Sequence, residues 1–427
     1  MKNVLIFPAG AENALEIYDA LRYNVNVHVY GASGKKDFAE YEYSEADYIE
    51  GDFYIFSSEF KAKFKEMLIE YKIDIIIPTH DDVTLYFAEN KDYFGVKILV
   101  SDIRTCKICR EKKLMYELVS DLAFCPKTYD DIKAANKGEF PLFVKPNIGA
   151  GAVGAMRVDT VDDFDRWNEY GKYVITEYLP GEELTVDCFT NRRKELTFAG
   201  ARSRDRIQMG IAFRSTTVEM TDEIFRMAKI LNERLDFFGA WYFQIKKDKF
   251  GKFKLLEVSC RQSGGMTLYR HLGINFPMLG IFELLEKDTD YVLNTAECQM
   301  ERRLFTKFKY HCDYNKVYID LDDTIIVENR VCMVIICFLY QCVNQNKELI
   351  LLTRHEGSLK EIWNHFKLSE NLFDKIYHMG FEMPKTDFIQ PNKAIFIDNS
   401  YKERRLVYDK FQIPVFDIDM IDMLIEN

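Results

Sequence analysis

Short apolar runs alternate with helical patterns over the first hundred residues. The runs are NVLIFPA, NVHVYGA, DIIIPTH and VKILVSD, and segments such as SSEFKAKFKEMLIEYK lie between them. This alternation predicts a parallel sheet with crossover helices up to about residue 104. Gly10 stands almost alone after the first run, and without a GxGxxG motif we do not expect a dinucleotide there.

The pattern changes twice further along the chain. From about residue 105 a Lys-rich helix precedes strands interrupted by glycines, and residues 286–316 are more polar and less periodic. We therefore expect an α/β protein with three domains, which span residues 1–104, 105–306 and 307–427. The apolar segment 331–343, VCMVIICFLYQCV, is too short to cross a bilayer and predicts a buried helix.

Composition and charge limit the kinds of partner that we expect for this protein. The 427 residues carry a formal net charge of −11, which argues against a nucleic-acid surface. The start MKNVLIF enters a strand at once, without the pattern of a signal peptide. These features predict a soluble, cytoplasmic protein with no nucleic-acid or membrane partner, and they leave the oligomeric state open.

The ten cysteines are scattered along the chain, as expected for reduced thiols packed as small hydrophobes. Cys106 and Cys109 form a CxxC motif that fits either a metal or redox site or a helical pair facing the interior. No second pair or histidine cluster complements this motif, which favours the helical pair.

Two carboxylates follow an apolar run in VYIDLDDTII, residues 317–326. The carboxyl end of a buried parallel strand is where α/β folds place their chemistry. Asp320 is suited to attack a phosphorus atom, and Asp322 is suited to protonate the leaving oxygen. The alternative is that both acids only cap the following helix.

Three later residues complete a set for phosphoryl chemistry. Thr353 ends a second apolar run, Lys385 follows in MPKTDF, and Asp398 ends a third run. Lys393 lies close by and is the alternative to Lys385. The hydroxyl and the ammonium group would hold phosphate oxygens, and Asp398 would share a magnesium ion with Asp320 and Asp322.

On these motifs, the last ~110 residues resemble the haloacid dehalogenase (HAD) superfamily. The resemblance implies a small HAD-like parallel α/β domain acting as a magnesium-dependent phosphatase through an aspartyl-phosphate. Short gaps between the motifs leave no room for a large cap. Asn399 stands where many members carry an acid, although Glu403 can take the more distant acidic position.

A glycine-rich segment lies in the middle of the chain. FPLFVKPNIGAGAVGAM places Lys145 at the end of an apolar run, before three glycines, which are Gly149, Gly151 and Gly154. Such glycines let backbone amides approach a polyphosphate, while the lysine supplies a point charge. Further on, Glu177 and Glu183 are suited to accept hydrogen bonds from ribose hydroxyls or an adenine amino group.

A hairpin is predicted in WYFQIKKDKFGKFKLLEVSCR, with its turn at Gly251. This hairpin aligns Gln244 with Glu257 on neighbouring strands. Their oxygens suit magnesium shared with nucleotide phosphates.

Together these features resemble the ATP-grasp superfamily, most closely the domain organisation of the carbamoyl phosphate synthase large subunit, over roughly residues 1–300. The resemblance implies a Rossmann-like pre-ATP-grasp domain followed by an ATP-grasp α+β domain. The roles it implies are phosphate contacts from Lys112 and Lys145, an adenine-side position for Glu177, ribose binding by Glu183, magnesium binding by Gln244 and Glu257, and stabilisation of the transferring phosphoryl group by Arg261.

Two positions depart from this family pattern. Ser259 replaces the usual asparagine metal ligand, and Ala152 replaces a serine common in the glycine-rich loop. A serine hydroxyl can still coordinate magnesium, so Ser259 stays among the candidate ligands. In the predicted loop ARSRDRIQMG, Arg202, Arg204 and Arg206 are suited to bind a carboxylate or phosphate of the substrate.

The resulting hypothesis is an ATP-dependent carboxylate ligase, of the carboxylate–amine type, fused to a phosphatase. The cofactors it implies are ATP and Mg²⁺, with Mn²⁺ as an alternative ion. Its substrates would be a small carboxylate, an amine and a phosphate ester. The alternative is a phosphatase whose ATP-grasp domain senses nucleotide without turning it over.

Overall fold

The computed structural model describes residues 1–149, 151, 153–163, 172–304 and 306–426. The chain divides into two compact units, Met1–Leu304 and Phe305–Asn427.

The first hundred residues form the parallel sheet that the sequence predicts, in the order β3-β2-β1-β4-β5. Its elements are β1 Lys2–Phe7, α1 Glu12–Leu21, β2 Val27–Ser33, β3 Tyr48–Glu50, α2 Phe60–Glu70, β4 Ile75–Pro78, α3 Asp81–Glu89, α4 Lys91–Phe94 and β5 Lys97–Ile98. The central strands read as continuous apolar runs because both faces are covered, and Leu5, Ile6 and Ile76 are fully buried. Strand β3 escaped prediction because only one of its three residues is buried.

Two short helices lead into a four-stranded sheet with the order β6-β9-β7-β8. The elements are α5 Ile103–Arg110, α6 Lys112–Leu118, β6 Thr128–Tyr129, β7 Leu142–Pro146, β8 Met156–Val158 and β9 Tyr173–Glu177. Asp102 caps α5, since its side chain accepts hydrogen bonds from the amides of Arg104 and Thr105.

A larger antiparallel sheet follows, in the order β12-β13-β11-β10-β14-β15. Its elements are β10 Glu183–Thr190, β11 Leu196–Ser203, β12 Arg206–Gln208, β13 Ile211–Val218, α7 Asp222–Arg234, β14 Gly239–Lys247 and β15 Phe253–Ser259. Helix α7 buries Ile224, Met227, Ala228 and Leu231 in the core that strands β10, β14 and β15 share. The predicted hairpin is confirmed, because β14 pairs antiparallel with β15 and Gly251 has the positive φ of 79° typical of glycine in a turn.

The remaining elements of this unit are α8 Thr267–His271, α9 Phe276–Leu284 and β16 Gln299–Glu301. Strand β16 pairs with β13 and so extends the larger sheet. Helix α9 is apolar on most sides and packs Met278 and Ile281 into the core beside β1 and β2.

The second unit contains a parallel sheet in the order β21-β20-β17-β22-β23. Its elements are β17 Lys316–Ile319, β18 Ile326–Val327, β19 Arg330–Val331, α10 Met333–Asn344, β20 Glu348–Thr353, α11 Leu359–Phe366, β21 Lys375–His378, β22 Ala394–Ile397, α12 Tyr401–Phe411 and β23 Val415–Phe416. Asp320, Thr353 and Asp398 lie at the carboxyl ends of three adjacent strands, so they share one edge of the sheet.

Helix α10 corrects one prediction. The segment forms a helix, as expected, but only one face is buried, through Ile335, Phe338 and Leu339. Met333 and Tyr340 on the opposite face are exposed. An apolar run without charges cannot show which face meets the core, because the usual polar marker of the outer face is missing.

Candidate functional site

A cavity of about 230 Å³ lies between the four-stranded and the larger antiparallel sheets. Strands β7 and β9 supply one wall, and strands β10, β14 and β15 supply the other. The predicted residues that line it are Lys112, Lys145, Gly149, Gly151, Glu177, Glu183, Arg204, Gln244 and Glu257. Apolar side chains, including Phe143, Leu179 and Leu256, complete the lining, as is common in ligand cavities with a few convergent polar groups.

Two lysines place positive charge in this cavity. Lys145 on β7 is buried, and its Nζ donates to the backbone oxygen of Leu256 at 2.7 Å and lies 5.1 Å from the ring centre of Tyr116. Burial lowers the pKa of the Lys145 ammonium to about 7. Lys112, the first residue of α6, donates to the backbone oxygen of Gly149 at 3.3 Å, and burial lowers its pKa as well. The Glu257 carboxylate opposes both pKa shifts, and an anion bound in the cavity would act in the same direction.

The glycine-rich loop closes against a second turn. Gly151 and Gly154 have φ angles of 63° and 73°, which favour glycine. Gly210, in the turn between β12 and β13, approaches the backbone of Gly151 so closely that a Cβ on Gly210 would overlap the Gly151 carbonyl group. Gly210 therefore belongs to this site, although its sequence pattern is that of an ordinary turn. Ala152 lies outside the described residues.

The two carboxylates predicted to face the nucleoside, Glu177 on the adenine side and Glu183 on the ribose side, already have partners in the protein. Glu183 on β10 lies between Arg204, whose Nε is 2.7 Å from its Oε1, and Lys246, whose Nζ is 3.2 Å from its Oε2. Glu177 at the end of β9 accepts a hydrogen bond from the amide of Lys127 at 2.9 Å. Both carboxylates still line the cavity. They are held in place, which leaves their remaining lone pairs for a ligand.

The hairpin presents a pair of oxygen ligands. Gln244 and Glu257 are direct partners in the antiparallel register, so both side chains lie on the same face of the sheet, and both line the cavity. No cluster of three or more histidine, cysteine or acidic side chains that could hold a metal occurs within the described ranges. The pair nevertheless fits magnesium. This ion usually keeps several water ligands and takes only one or two oxygens from the protein, while nucleotide phosphates supply the others.

A network at the end of β15 involves a residue that the sequence did not indicate. Asp81, the first residue of α3, forms a two-point ion pair with Arg261, with Nε–Oδ1 and Nη2–Oδ2 distances of 2.8 and 3.0 Å. The Ser259 hydroxyl also donates to Asp81 Oδ1 at 3.1 Å. Burial alone would raise the pKa of Asp81, but the Arg261 guanidinium outweighs it and holds this pKa at about 2.

A second cavity, of about 440 Å³, adjoins the first and shares Lys112, Gly149, Gln244 and Glu257 with it. Its further polar lining includes Glu12, Asp81, Arg110, Arg202, Arg204, Arg261, Ser263 and Arg302. Arg302 pairs with Glu12 through Nη1. Its Nε and Nη2 atoms are buried and have no hydrogen-bond partner among the described residues. These two atoms form one edge of the guanidinium group. In general, such an edge can donate two parallel hydrogen bonds to a carboxylate or phosphate.

The second unit gathers most of its predicted residues. Lys385 is buried and bridges two acids, with its Nζ 2.8 Å from Asp320 Oδ1 and 2.7 Å from Asp398 Oδ2. Burial raises the pKa of both carboxyl groups, and Lys385 opposes the shift. Asp322 turns to His355, whose Nδ1 lies 2.8 Å from its Oδ1. These four residues and His355 line one open cavity with Arg354 and Glu403.

Thr353 is fully buried, and its hydroxyl oxygen accepts a hydrogen bond from the His355 amide at 3.0 Å. Asn399 and Glu403 do line the cavity of the second unit, and Glu403 pairs with Arg354 at 2.9 Å. The lone pairs of Glu403 are thus partly engaged by a cation.

Known proteins share the architecture of the first unit. Residues 169–303 match the family model described as "ATP-grasp in the biosynthetic pathway with Ter operon". One similar structure is the biotin carboxylase domain of Hydrogenobacter thermophilus 2-oxoglutarate carboxylase, solved with MgADP. The alignment covers 68% of this chain and 71% of that domain's chain, with 12% identity and a TM-score of 0.56. The first unit has an ATP-grasp fold.

Two ligases are similar to parts of this chain. The L-amino acid ligase of Bacillus licheniformis is 16% identical, covers 66% of this chain and 74% of its own, and has a TM-score of 0.53. The D-alanine–D-alanine ligase of Thermotoga petrophila is 22% identical over 109 residues, which are 24% of this chain. The match spans only 36% of that ligase's length.

The ATP-grasp unit corrects the prediction of an arginine-bearing loop. Arg202 lies in β11 and is buried against Asp187, with an Nε–Oδ2 distance of 2.7 Å. Arg206 lies in β12 and pairs with Glu301. Arg204 is the one of the three that faces both cavities. The local pattern could not place Arg202 and Arg206, because the acids that pair with them lie on other strands.

Within the described ranges, no helix is both long and apolar enough to cross a bilayer.

Proposed function

We propose that the ATP-grasp unit is an ATP-dependent carboxylate ligase of the carboxylate–amine type, with an acyl phosphate as intermediate. The observation that carries this proposal is the pair of adjoining cavities. One holds Lys112, Lys145 and the Gln244–Glu257 oxygens, and the other is lined by arginines. In this proposal residues 1–104 precede the ATP-grasp core, residues 105–306 form that core, and ATP and Mg²⁺ are the cofactors.

The lining residues divide the task of phosphoryl transfer. Lys145 and Lys112 bind phosphate oxygens, and Glu177 and Glu183 face the adenine and ribose. Magnesium, when held by Gln244 and Glu257, supplies positive charge that offsets the charge on the phosphates. Arg261, fixed by Asp81, stabilises the transferring phosphoryl group.

The reaction requires two substitutions. A carboxylate oxygen attacks the γ-phosphorus, and the bond to ADP breaks. An amine nitrogen then attacks the acyl carbon, and inorganic phosphate leaves. The Nε and Nη2 atoms of Arg302, which have no partner among the described residues, favour an anionic group on one of the substrates. The names of the two similar ligases, which refer to D-alanine and L-amino acids, support small carboxylates as substrates.

For the second unit we propose a HAD-like, magnesium-dependent phosphatase comprising residues 307–427. The Lys385 bridge between Asp320 and Asp398 supports this proposal, because it holds a nucleophile, a cation and a second acid in one cavity. Asp320 attacks the phosphorus to form an aspartyl-phosphate, and Asp322 protonates the leaving oxygen. Asp320 and Asp398 would hold the metal, while Asp322 is turned toward His355. The substrate would be a small phosphate ester.

The alternative is an ATP-grasp unit that senses nucleotide without turnover. The Ser259 hydroxyl favours it, because a hydroxyl coordinates magnesium less reliably than the amide oxygen of the usual asparagine, and this hydroxyl already donates a hydrogen bond to Asp81. Gln244 and Glu257 are then the main protein ligands of the proposed metal.

A screen of ADP release across pairs of carboxylates and amines separates the two proposals. A ligase releases ADP steadily and only when its carboxylate is added. Tight MgATP binding with no ADP release above the background for every pair would support the sensor and contradict the ligase.

Proton uptake should accompany nucleotide binding. Lys145 has a pKa of about 7 without ligand, and bound phosphate should raise it by favouring the ammonium. Above pH 7 the free protein therefore carries fewer protons on Lys145 than the complex, so affinity should fall as the pH rises. Calorimetry at about pH 8 in buffers with different ionisation enthalpies should detect this uptake, and Lys145→Met should lose it. Equal uptake by the variant would assign the proton to another group.

A further inference from the structure

Three cysteines from two distant segments of the chain lie close to the ATP-grasp site. Cys106 and Cys109 lie on α5, one helical turn apart, and Cys260 directly follows β15. The sulfur atoms of Cys106 and Cys260 are 3.6 Å apart, and both residues are buried. Cys109 follows Cys106 by three residues, so both side chains project from the same face of α5. The CxxC motif, which seemed to lack a complement, thus has a third thiol beside it.

The position of this cluster connects it to the site. Cys260 stands between Ser259 and Arg261, the two residues that contact Asp81. Cys109 is only half-buried and lines the larger cavity. A reagent that enters this cavity can reach Cys109, and a covalent bond to Cys260 would act on the backbone next to Arg261.

We propose that this cluster is an oxidative modification site, in which Cys260 forms a disulfide with a cysteine of α5. A hydroperoxide is the oxidant. The sulfur of Cys109 attacks a peroxide oxygen, the O–O bond breaks, and a sulfenic acid and water or an alcohol result. The sulfur of Cys260 then attacks the sulfenic sulfur and the S–O bond breaks. The departing hydroxyl takes the proton of the Cys260 thiol and leaves as water.

Cys106 gives the cluster a second route. Its sulfur is already in contact with that of Cys260, so thiol–disulfide exchange can pass the bond from Cys109 to Cys106 and return Cys109 to a thiol. Either bond ties α5 to the end of β15. Bond formation shortens a sulfur separation, which is 3.6 Å for Cys106 and Cys260, to about 2 Å. This shift displaces Arg261 and Arg110, which line the same cavity, from their reduced-state positions and so lowers the affinity for MgATP.

Tryptic mapping of the full-length protein tests the bond itself. Trypsin separates the three cysteines into the peptides TCK (105–107), ICR (108–110) and LLEVSCR (255–261). After treatment with hydrogen peroxide and alkylation of free thiols, we expect LLEVSCR linked to TCK or ICR, and dithiothreitol should release it. Recovery of all three peptides in alkylated form, or LLEVSCR carrying a sulfinic acid without a partner, would overturn the proposal.

Single cysteine-to-alanine variants distinguish disulfide formation in the cluster from oxidation of other cysteines. Cys260→Ala should abolish the linked peptides, and Cys106→Ala should leave only the ICR link, which keeps the test valid if one variant folds poorly. Cys125→Ala is the matched control, because that thiol donates to the backbone oxygens of Tyr116 and Pro126. It should form the same links as the natural sequence.

Calorimetric titration with MgATP tests the consequence. Peroxide should weaken binding by the natural sequence, dithiothreitol should restore it, and Cys260→Ala should be insensitive. Full disulfide formation with unchanged affinity would refute the effect on the site. Absence of MgATP binding by the reduced protein would instead refute the proposed ligase, since peptide mapping does not depend on that function.

Discussion

Replacing Glu257 by glutamine should reduce magnesium-dependent ATP turnover more than any other single change in the ATP-grasp unit that preserves side-chain size. Glu257 contributes the only carboxylate of the Gln244–Glu257 pair, and an amide binds magnesium less strongly. Removing a residue that only hydrogen-bonds to a metal ligand typically lowers metal affinity or activity by about 10- to 100-fold. Removing the ligand itself should lower them further. The measurement is ADP release as a function of magnesium concentration.

The control for this experiment is Glu182→Gln, which also neutralises an acid of the same unit. Glu182 is partly exposed and pairs with Lys247 at 2.8 Å. It should turn over ATP like the natural sequence. If Glu257→Gln shows the same magnesium dependence as Glu182→Gln, Glu257 is not a metal ligand.

Asp320→Asn should abolish hydrolysis of phosphate esters by the second unit. An amide cannot form an aspartyl-phosphate, and loss of a nucleophile costs roughly 10⁴-fold or more. Lys385 keeps Asp398 as a partner in this variant, so the cavity should retain its fold. The measurement is release of phosphate from a generic aryl phosphate, with circular dichroism as a check on folding.

Asp313→Asn is the matched control for the phosphatase. Asp313 is exposed and pairs with Lys393 at 2.5 Å. Its variant should hydrolyse esters at the natural rate. Hydrolysis by Asp320→Asn at a rate near that of this control would rule out the proposed nucleophile, while leaving the ATP-grasp proposal untouched.

The local sequence pattern predicts a structural feature when that feature depends on residues close together in the chain. The alignment of Gln244 with Glu257 follows from two strands and the Gly251 turn, and the structure confirms it. The strand-end positions of Asp320 and Asp398 follow equally from apolar runs. In both cases a period of two residues or an uninterrupted apolar run fixes the geometry.

Features built from distant segments could not be predicted in this way. Asp81 meets Arg261 across 180 positions, and Cys260 meets Cys106 across 154. Nothing in the local pattern around these residues marks the contact, since it arises from the packing of α3 and α5 against the end of β15. Arg202 was misplaced because the partner that buries it, Asp187, lies on another strand.

Calorimetric titration of the full chain with MgATP measures whether the ATP-grasp unit binds nucleotide through Lys145. Lys145 lies in the cavity proposed to hold the phosphates, whereas Lys113 is an exposed neighbour of Lys112 on α6. We expect the natural sequence and Lys113→Ala to bind MgATP with the same affinity and Lys145→Ala to bind it much more weakly. No binding by the natural sequence, or equal affinity for all three proteins, would contradict this expectation.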